Sequence, residues 1–130
     1  MTREEIVRLE NYMRRRFQLR DVEIRQLPGS DDKAEFFIGD EAVGELFRDT
    51  EEGELSYDFS MKIETDADKL QQYLQSRFNM PTIEVRQRTN KDDSAEVYIE
   101  DEFIGVLFED GDVYSYAFNM SILEFDLEEA

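Results

Sequence analysis

The chain has 130 residues and a formal charge of −18, because 33 acidic side chains outnumber 15 basic ones. Such a surface repels phosphate groups, so direct binding to nucleic acid or to anionic lipid is not expected, whereas a basic protein partner is compatible with it. The absence of Cys and His excludes a disulfide framework and removes the commonest general base and transition-metal ligand.

The N-terminal segment, MTREEIVRLE, is charged from its third residue and lacks the apolar region of a secretory signal. No later stretch approaches the roughly 20 apolar residues that a membrane-spanning helix requires. We therefore expect a cytoplasmic protein that does not enter the membrane.

The first predicted element is an amphipathic helix. The segment Thr2–Glu5 has the form of a capping box, and apolar residues then recur at helical spacing over Ile6–Met13. Three arginines, Arg14–Arg16, suit the negative end of the helix dipole. We interpret them as a solvated helix end, and the alternative is that Arg14 and Arg15 belong to a binding patch.

Four strands are predicted after this helix. Residues 22–26 and 34–38 alternate apolar and polar side chains, and residues 55–63 do so most regularly. This period of two is typical of a sheet with one covered face and one wet face.

The same elements then occur a second time. At an offset of 61 residues, 18 of the 41 pairs from Leu9 to Asp49 are identical, and at an offset of 59, 5 of the 9 pairs from Leu55 to Ile63 are identical. No Gly/Ser/Pro-rich linker separates the copies. Because about 60 residues are marginal as an independent domain, we predict one compact α+β domain made of two pseudo-twofold αββββ repeats. Each repeat has one helix and an antiparallel meander, and the repeats span residues 1–64 and 65–130. The meanders either join edge to edge or pack face to face.

The third strand of each copy is less regular. The second copy reads FIGVLF, and the first copy has Ala42 and Glu45 in place of Phe103 and Val106. A three-residue hairpin loop at 109–111, with Gly in the left-handed position, sets the direction of the side chains. It directs three residues of the second copy toward the core: Ile104, Val106 and Phe108. The same parity places Glu45 on the core face, which the pattern does not explain.

The string SAEVYIEDEFIGVLFEDGDVYSYAFNMSILEFDLEE in the second copy resembles a family of short bacterial proteins catalogued as domain of unknown function 3126. The resemblance covers most of residues 66–130 and extends more weakly to 1–64. Members are similar to one repeat, so the resemblance implies a fold unit and no reaction. It also implies that single-repeat members dimerise, with this chain similar to such a dimer fused into one polypeptide.

Paired carboxylates are frequent, but they lie at predicted turns such as Asp40-Glu41 and Asp101-Glu102. Turn geometry and solubility explain them there, whereas a catalytic pair needs two carboxylates in different environments facing one cleft. A weak cation site at 110–112 is an alternative, although the segment lacks the spacing of an EF-hand loop. We predict no enzymatic activity, no cofactor and no metal.

Aromatic residues occupy strand positions where polar ones are expected. Phe37 and Tyr98 are equivalent residues of the second strands, and Phe103 and Leu107 extend the same face in the second copy. A contiguous exposed patch of this kind is typical of an interaction site, and the alternative is that the other copy or a homodimer partner covers it. Six residues form the candidate partner surface: Phe37, Tyr98, Phe103, Leu107, Arg14 and Arg15.

The leading hypothesis is a non-enzymatic protein-interaction module, an adaptor or regulator with an unknown and preferably basic partner, acting as a monomer or a homodimer. One alternative is an acidic nucleic-acid mimic that occupies the binding site of a basic protein. Another is a small-molecule carrier with a pocket between the repeats, lined by four aromatic residues: Tyr57, Phe59, Tyr116 and Phe118.

Overall fold

A computed structural model describes residues 1–88, 91–111 and 114–128, without the side chains of 52, 88 and 91–93. The predicted α+β class is confirmed, with eight antiparallel strands in two meanders. The elements in chain order are α1 (Arg3–Phe17), β1 (Val22–Gln26), β2 (Lys33–Ile38), β3 (Glu41–Asp49), β4 (Ser56–Glu64), α2 (Leu70–Arg77), β5 (Ile83–Arg88), β6 (Lys91–Ile99), β7 (Glu102–Glu109), β8 (Ser115–Leu123) and α3 (Glu124–Glu128).

The described residues form two units. The first contains Met1–Ser60 together with the C-terminal segment from Ser121, and the second contains Met61–Met120. The strands follow in the order β1-β2-β3-β4 in one meander and β5-β6-β7-β8 in the other. The helix α3 therefore belongs to the first unit, although its residues come from the second repeat.

Local sequence determines where α1 begins. The hydroxyl of Thr2 accepts a hydrogen bond from the N–H of Glu5 at 3.1 Å, and the Glu5 carboxylate accepts one from the N–H of Thr2 at 2.9 Å. This is the predicted capping box, and three basic residues occupy the last turn. The second helix lacks a side-chain cap. A short 3₁₀ helix, Ala67–Lys69, precedes α2, and Asp66 makes no capping bond.

Each meander covers its inner face with apolar side chains. In β4, Tyr57, Phe59, Met61 and Ile63 are buried and alternate with polar residues, and β8 has the same pattern. Two helices supply buried side chains to these faces, among them Leu9 and Met13 from α1 and Leu74 from α2. The predicted burial of alternate residues in these strands is confirmed.

The third strand of each repeat contains a β-bulge next to its glycine. The register of β2 with β3 shifts between Phe36, opposite Gly44, and Phe37, opposite Ala42, so that Val43 is the extra residue. The same shift occurs in the second repeat, where Val97 lies opposite Gly105 and Tyr98 opposite Phe103. Because a bulge inserts one residue on one strand, it reverses the parity of every side chain after it.

The parity predicted for the third strands was therefore wrong after the bulge. Glu45 is exposed and Leu46 is buried, so the carboxylate that the pattern placed on the core face lies in solvent. In the second repeat Ile104 is buried as predicted, whereas Phe108 points outward. The predicted three-residue loop at 109–111 was also wrong, since Glu109 lies opposite Tyr116 and the N–H of Asp110 donates to the oxygen of Ser115 at 2.8 Å. This register turns Leu107 to the inner face in place of Phe108.

Gly44 and Gly105 lie next to the bulges, at positions where the neighbouring atoms leave no room for a side chain. A Cβ on Gly44 would be 2.8 Å from the ring of Phe59, and one on Gly105 would be 2.9 Å from the ring of Phe118. In both repeats the close neighbour is an aromatic ring of the adjacent strand. Among the described residues, no helix combines the length and apolarity needed to cross a membrane.

Candidate partner surface on the second meander

The outer face of the second meander carries a row of apolar side chains. Phe103 is 49% exposed and Phe108 is 41% exposed, and Val106 lies between them on the same face of β7. In the neighbouring strands, Tyr98 pairs with Phe103 and Ala117 pairs with Phe108. We call these five residues the outer patch: Tyr98, Phe103, Val106, Phe108 and Ala117.

One end of the outer patch is held by aromatic and ionic contacts. The rings of Tyr98 and Phe103 meet edge to face with centroids 5.8 Å apart, an arrangement that aromatic quadrupoles favour. The guanidinium of Arg86 lies 4.0 Å from the centre of the Tyr98 ring and pairs with Glu84 at 2.9 Å and with Asp101 at 2.6 Å. These contacts fix the Tyr98 ring in place.

The same contacts raise the pKa of two side chains. The hydroxyl of Tyr98 donates to Glu96 at 3.1 Å, and this hydrogen bond raises the pKa of the phenol. The hydrogen bonds to Glu84 and Asp101 raise the pKa of the Arg86 guanidinium. At neutral pH this end of the patch therefore presents a protonated phenol and a cation that is already neutralised by carboxylates.

The first repeat has the equivalent contact between an arginine and an aromatic ring but lacks the row of apolar side chains. The guanidinium of Arg25 lies 4.3 Å from the ring centre of Phe37 and pairs with Glu23 at 2.9 Å, which raises the pKa of Arg25. Beyond Phe37, however, the counterparts of Phe103, Val106 and Ala117 are small or acidic. They are Ala42, Glu45 and Asp58, and all three are exposed.

Phe47 and Phe108 are a matched pair between the repeats. They occupy equivalent positions, with exposed fractions of 43% and 41%. Phe47 lies opposite Asp58 and Phe108 lies opposite Ala117. The two faces therefore differ in what surrounds the phenylalanine and hardly at all in its exposure.

Three of the six predicted surface residues point outward: Phe37 on the first meander, and Tyr98 with its neighbour Phe103 on the second. The prediction for Leu107 was wrong, since it is only 1% exposed and lies opposite Phe118 on the inner face. The bulge before Gly105 reverses its direction, and for the same reason Val106 and Phe108 are outward. These two residues were missed, and the signal that points to them is the Gly within an apolar strand, which often marks a bulge.

Arg14 and Arg15 are both engaged in intramolecular contacts. Arg14 donates to the backbone oxygen of Val22 at 2.7 Å, which ties the end of α1 to β1. Arg15 donates to the backbone oxygen of Asp126 at 3.3 Å and lies 5.8 Å from the centre of the Tyr12 ring. The structure thus gives both arginines a part in holding neighbouring segments and does not place them beside the aromatic residues on the outer face of β2.

A second titratable cluster lies in the first unit. Tyr57 donates to Glu5 at 2.5 Å, and Arg48 lies 2.9 Å from Glu5 and 3.4 Å from Asp32. Burial and the bond to Glu5 raise the pKa of Tyr57. Perturbed groups of this kind occur at active sites and also in structural ion-pair networks. Because Glu5 also caps α1 here, the geometry supports a structural role.

The four aromatic residues of the carrier hypothesis are buried within their own units. Phe59 packs edge to face on Phe36 with centroids 5.2 Å apart, and Tyr116 borders a small pocket of about 40 Å³. That volume is far below the roughly 300–1,000 Å³ of typical ligand pockets. Within the described part of the chain, no group of acidic side chains is arranged to hold a metal ion, and Asp112 of the possible cation site lies outside it.

Comparison with known proteins identifies the repeat unit. No curated protein and no solved structure matches the chain. A family model described as a protein of unknown function, DUF3126, matches residues 5–66 and again residues 66–126. The chain therefore belongs to this family of proteins of unknown function and carries two consecutive copies of its domain.

Proposed function

We propose that the protein is a non-enzymatic interaction module that binds a protein partner through the outer patch of the second meander. The observation that carries the proposal is the exposure of Phe103 and Phe108 on one strand face, with the apolar Val106 between them. Large apolar patches on soluble proteins often mark interaction sites, and aromatic residues are enriched in the parts of interfaces that dominate affinity.

The comparison between repeats supports a specific role for this face. The first repeat shows that the fold tolerates Ala, Glu and Asp at the three equivalent positions 42, 45 and 58. Folding alone therefore does not require Phe103, Val106 and Ala117. An apolar surface that the fold does not need is best explained by a binding partner.

The charge of the chain indicates what kind of partner fits. A net charge of −18 accelerates the approach of a basic protein and disfavours an acidic one. The rim of the patch supplies carboxylates at Glu84, Glu96 and Asp101. We therefore propose a partner with an apolar contact surface bordered by Lys or Arg.

The experiment uses the first repeat as a template. The triple variant Phe103→Ala, Val106→Glu, Ala117→Asp gives the second repeat the residues that the first repeat carries at the same positions. The control is Phe47→Ser, which removes the matched exposed phenylalanine of the first repeat. Circular dichroism and thermal unfolding establish that both variants are folded before binding is measured.

Wild type, triple variant and control are then compared as tagged baits in the native cell, with quantitative mass spectrometry of the captured proteins. The proposal predicts a partner that is captured by wild type and control and depleted at least about tenfold with the triple variant, which corresponds to about 1.4 kcal/mol. Equal capture by all three baits contradicts it. Sedimentation of the purified protein identifies the case in which the patch binds a second copy, because only the triple variant would then lose self-association.

A further inference from the structure

Near its end, β3 carries an arginine that the second repeat replaces with an acid. Arg48 lies 2.9 Å from the carboxylate of Glu5, and the hydroxyl of Tyr57 donates to the same carboxylate at 2.5 Å. Arg48 also lies opposite Tyr57 in the pairing of β3 with β4. In the first repeat, a guanidinium therefore neutralises the carboxylate that the phenol contacts.

The second repeat keeps the acid and the phenol of this cluster but has no arginine there. Three pairs of residues correspond between the repeats: Glu5 and Asp66, Arg48 and Glu109, Tyr57 and Tyr116. The strand pairing is also equivalent, since Glu109 lies opposite Tyr116. The second unit therefore places two acids beside the phenol, where the first unit has one acid and one cation.

Both acids of the second unit act on the Tyr116 hydroxyl. Tyr116 is 7% exposed, and its pKa is raised by burial, by the charge of Glu109 and by the charge of Asp66. The N–H of Thr65 donates to the backbone oxygen of Tyr114 at 2.9 Å, which holds the segment before α2 against the start of β8. Asp66 and Glu109 thus lie near the same hydroxyl at one end of the second meander.

Little cationic charge in the second unit balances these two acids. Lys69 approaches Asp66 at 3.7 Å, but these side chains are 62% and 48% exposed, and exposed pairs contribute little to stability. Within the described residues, no Lys or Arg forms an ion pair with Glu109. Glu109 is exposed, so a cation from outside the chain can reach it.

The residue whose backbone oxygen accepts the bond from Thr65 also has an exposed aromatic ring. Tyr114 is 59% exposed, and its counterpart in the first repeat is Leu55. A guanidinium stacks on aromatic rings and forms planar, paired hydrogen bonds with carboxylates, whereas an ammonium group lacks this planar fork. Two carboxylates and a tyrosine ring at one end of the meander therefore suit an arginine side chain.

We propose that the second unit binds an arginine side chain of a partner protein, with its guanidinium between Asp66 and Glu109 and stacked on the ring of Tyr114. We call these three residues the arginine site. The bound guanidinium supplies the positive charge that Arg48 supplies in the first repeat. A net charge of −18 favours the approach of such a basic partner. The inference does not rest on the outer patch, because none of these residues belongs to it.

The probe is N-acetyl-arginine amide, which carries a guanidinium and no other charge. It is titrated into the ¹⁵N-labelled full chain at physiological salt, which screens diffuse attraction to the acidic surface. We expect saturable amide shifts at residues 66, 109 and 114–116, with a Kd of about 1–10 mM because a single side chain binds weakly. N-acetyl-citrulline amide has nearly the same shape without the charge and is expected to cause no saturable shift. N-acetyl-lysine amide is expected to bind at least about threefold more weakly, since its ammonium lacks the planar fork.

Two charge-matched variants make the test specific. Glu109→Arg gives the second repeat the residue that the first repeat carries at this position, so the chain's own guanidinium should fill the site and abolish probe binding. Glu100→Arg changes the net charge equally at an exposed position in the turn before β7 and is expected to leave probe binding unchanged. Asp66→Asn is expected to weaken binding about fivefold, the effect of one lost hydrogen bond.

The proposal is overturned if no saturable shifts appear at tens of millimolar probe, or if citrulline amide causes the same shifts. Binding that survives Glu109→Arg, or that Glu100→Arg removes as well, would contradict it by showing a diffuse attraction of cations to the acidic chain. Equal affinities for the arginine and lysine probes would contradict it by showing a site that responds to charge alone. Should Glu109→Arg fail to fold, Asp66→Asn decides, since unchanged affinity contradicts the proposal and weakened affinity supports it.

Discussion

The carboxylate of Glu10 in α1 accepts a hydrogen bond from the backbone N–H of Ile24 in β1 at 2.9 Å. Gln71 in α2 does the same for the N–H of Val85 in β5, also at 2.9 Å. On each helix, a second side chain four residues later also contacts the strand. Arg14 and Gln75 donate to the backbone oxygens of two residues at 2.7 and 2.9 Å: Val22 and Ile83.

These pairs protect the outermost strand of each meander. β1 and β5 each pair with one strand in their meander, and a free edge exposes N–H and C=O groups that can recruit another chain. Here an acceptor and a donor on the helix occupy the positions that a neighbouring strand would supply. These hydrogen bonds therefore compete with the addition of another strand at these residues in both repeats.

The first prediction concerns the acceptor at Glu10. Glu10→Ala leaves the N–H of Ile24 without its partner and is expected to lower the free energy of unfolding by about 1 kcal/mol. Glu10→Gln keeps an acceptor oxygen and should retain most of that stability. Urea unfolding measures both values, and hydrogen exchange at the Ile24 amide should accelerate in the Ala variant. A Gln variant as unstable as the Ala variant would show that the charge matters and the acceptor does not.

The second prediction is a pH dependence at Glu5. Burial alone raises the pKa of Glu5, but the N–H of Thr2, the hydroxyl of Tyr57 and the guanidinium of Arg48 stabilise the carboxylate, and together they lower the pKa below 4.5. A lowered folded-state pKa means that ionised Glu5 stabilises the fold above the unfolded-state pKa. This contribution is lost as the pH falls through the folded-state pKa.

Glu5→Gln is therefore expected to cost about 1–2 kcal/mol at pH 7, and the difference from wild type should shrink as the pH falls below 4.5. Unfolding by urea at several pH values between 7 and 3 measures it. Glu4→Gln, an exposed neighbour in the same turn, is the control and should show little change. A difference that stays constant down to pH 3 would refute the role of the Glu5 charge.

The third prediction concerns the glycine after the first bulge. A Cβ at Gly44 would meet the Ser60 carbonyl oxygen at 2.7 Å and the Phe59 ring at 2.8 Å. Gly44→Ala should therefore destabilise the fold by about 1–3 kcal/mol through overpacking. Gly29 has a φ of +81° and nothing within 4 Å, so Gly29→Ala should cost only the smaller backbone term, about 1 kcal/mol. Equal losses in thermal or urea unfolding would contradict the steric explanation.

The fourth prediction fills the small pocket in the second unit. Ala67 borders the pocket of about 40 Å³ together with Leu70, Leu107 and Tyr116, and its counterpart in the first repeat is Ile6. Ala67→Ile should therefore raise the free energy of unfolding by about 0.5–2 kcal/mol. Asp68→Asn, at a neighbouring position that does not line the pocket, is the control. A loss of stability in the Ile variant would show that the pocket cannot accept the larger side chain.

Sequence predicted those features that depend on local pattern. The capping box at Thr2–Glu5 and the alternation in β4 follow from spacing alone, and the repeat revealed which positions are equivalent. The outward direction of Val106 was not predictable by parity, because it depends on a bulge in the pairing of β7 with β6 and on the register of β7 with β8. The burial of Leu107 was missed for the same reason.

The C-terminal segment shows a second limit of prediction from local sequence. Apolar and acidic residues alternate over Leu123–Glu128, a pattern that by itself favours an extension of the last strand. The structure instead ends β8 at Leu123 and places a short helix after it. A period-two pattern favours a strand only when a neighbour is available to pair with it. Here contact with α1 replaces strand pairing, and this is a tertiary interaction that the local sequence does not specify.

The most direct test of the outer patch is photocrosslinking at two matched positions in the native cell. p-Benzoyl-phenylalanine replaces Phe108 in one variant and Phe47 in another, and both side chains are similarly exposed on equivalent strands. We predict a discrete crosslinked partner at position 108 that is absent at position 47 and disappears when Phe103→Ala and Val106→Glu are added. The same crosslinks at both positions, or none at position 108, would contradict the proposal that the outer patch is the docking surface.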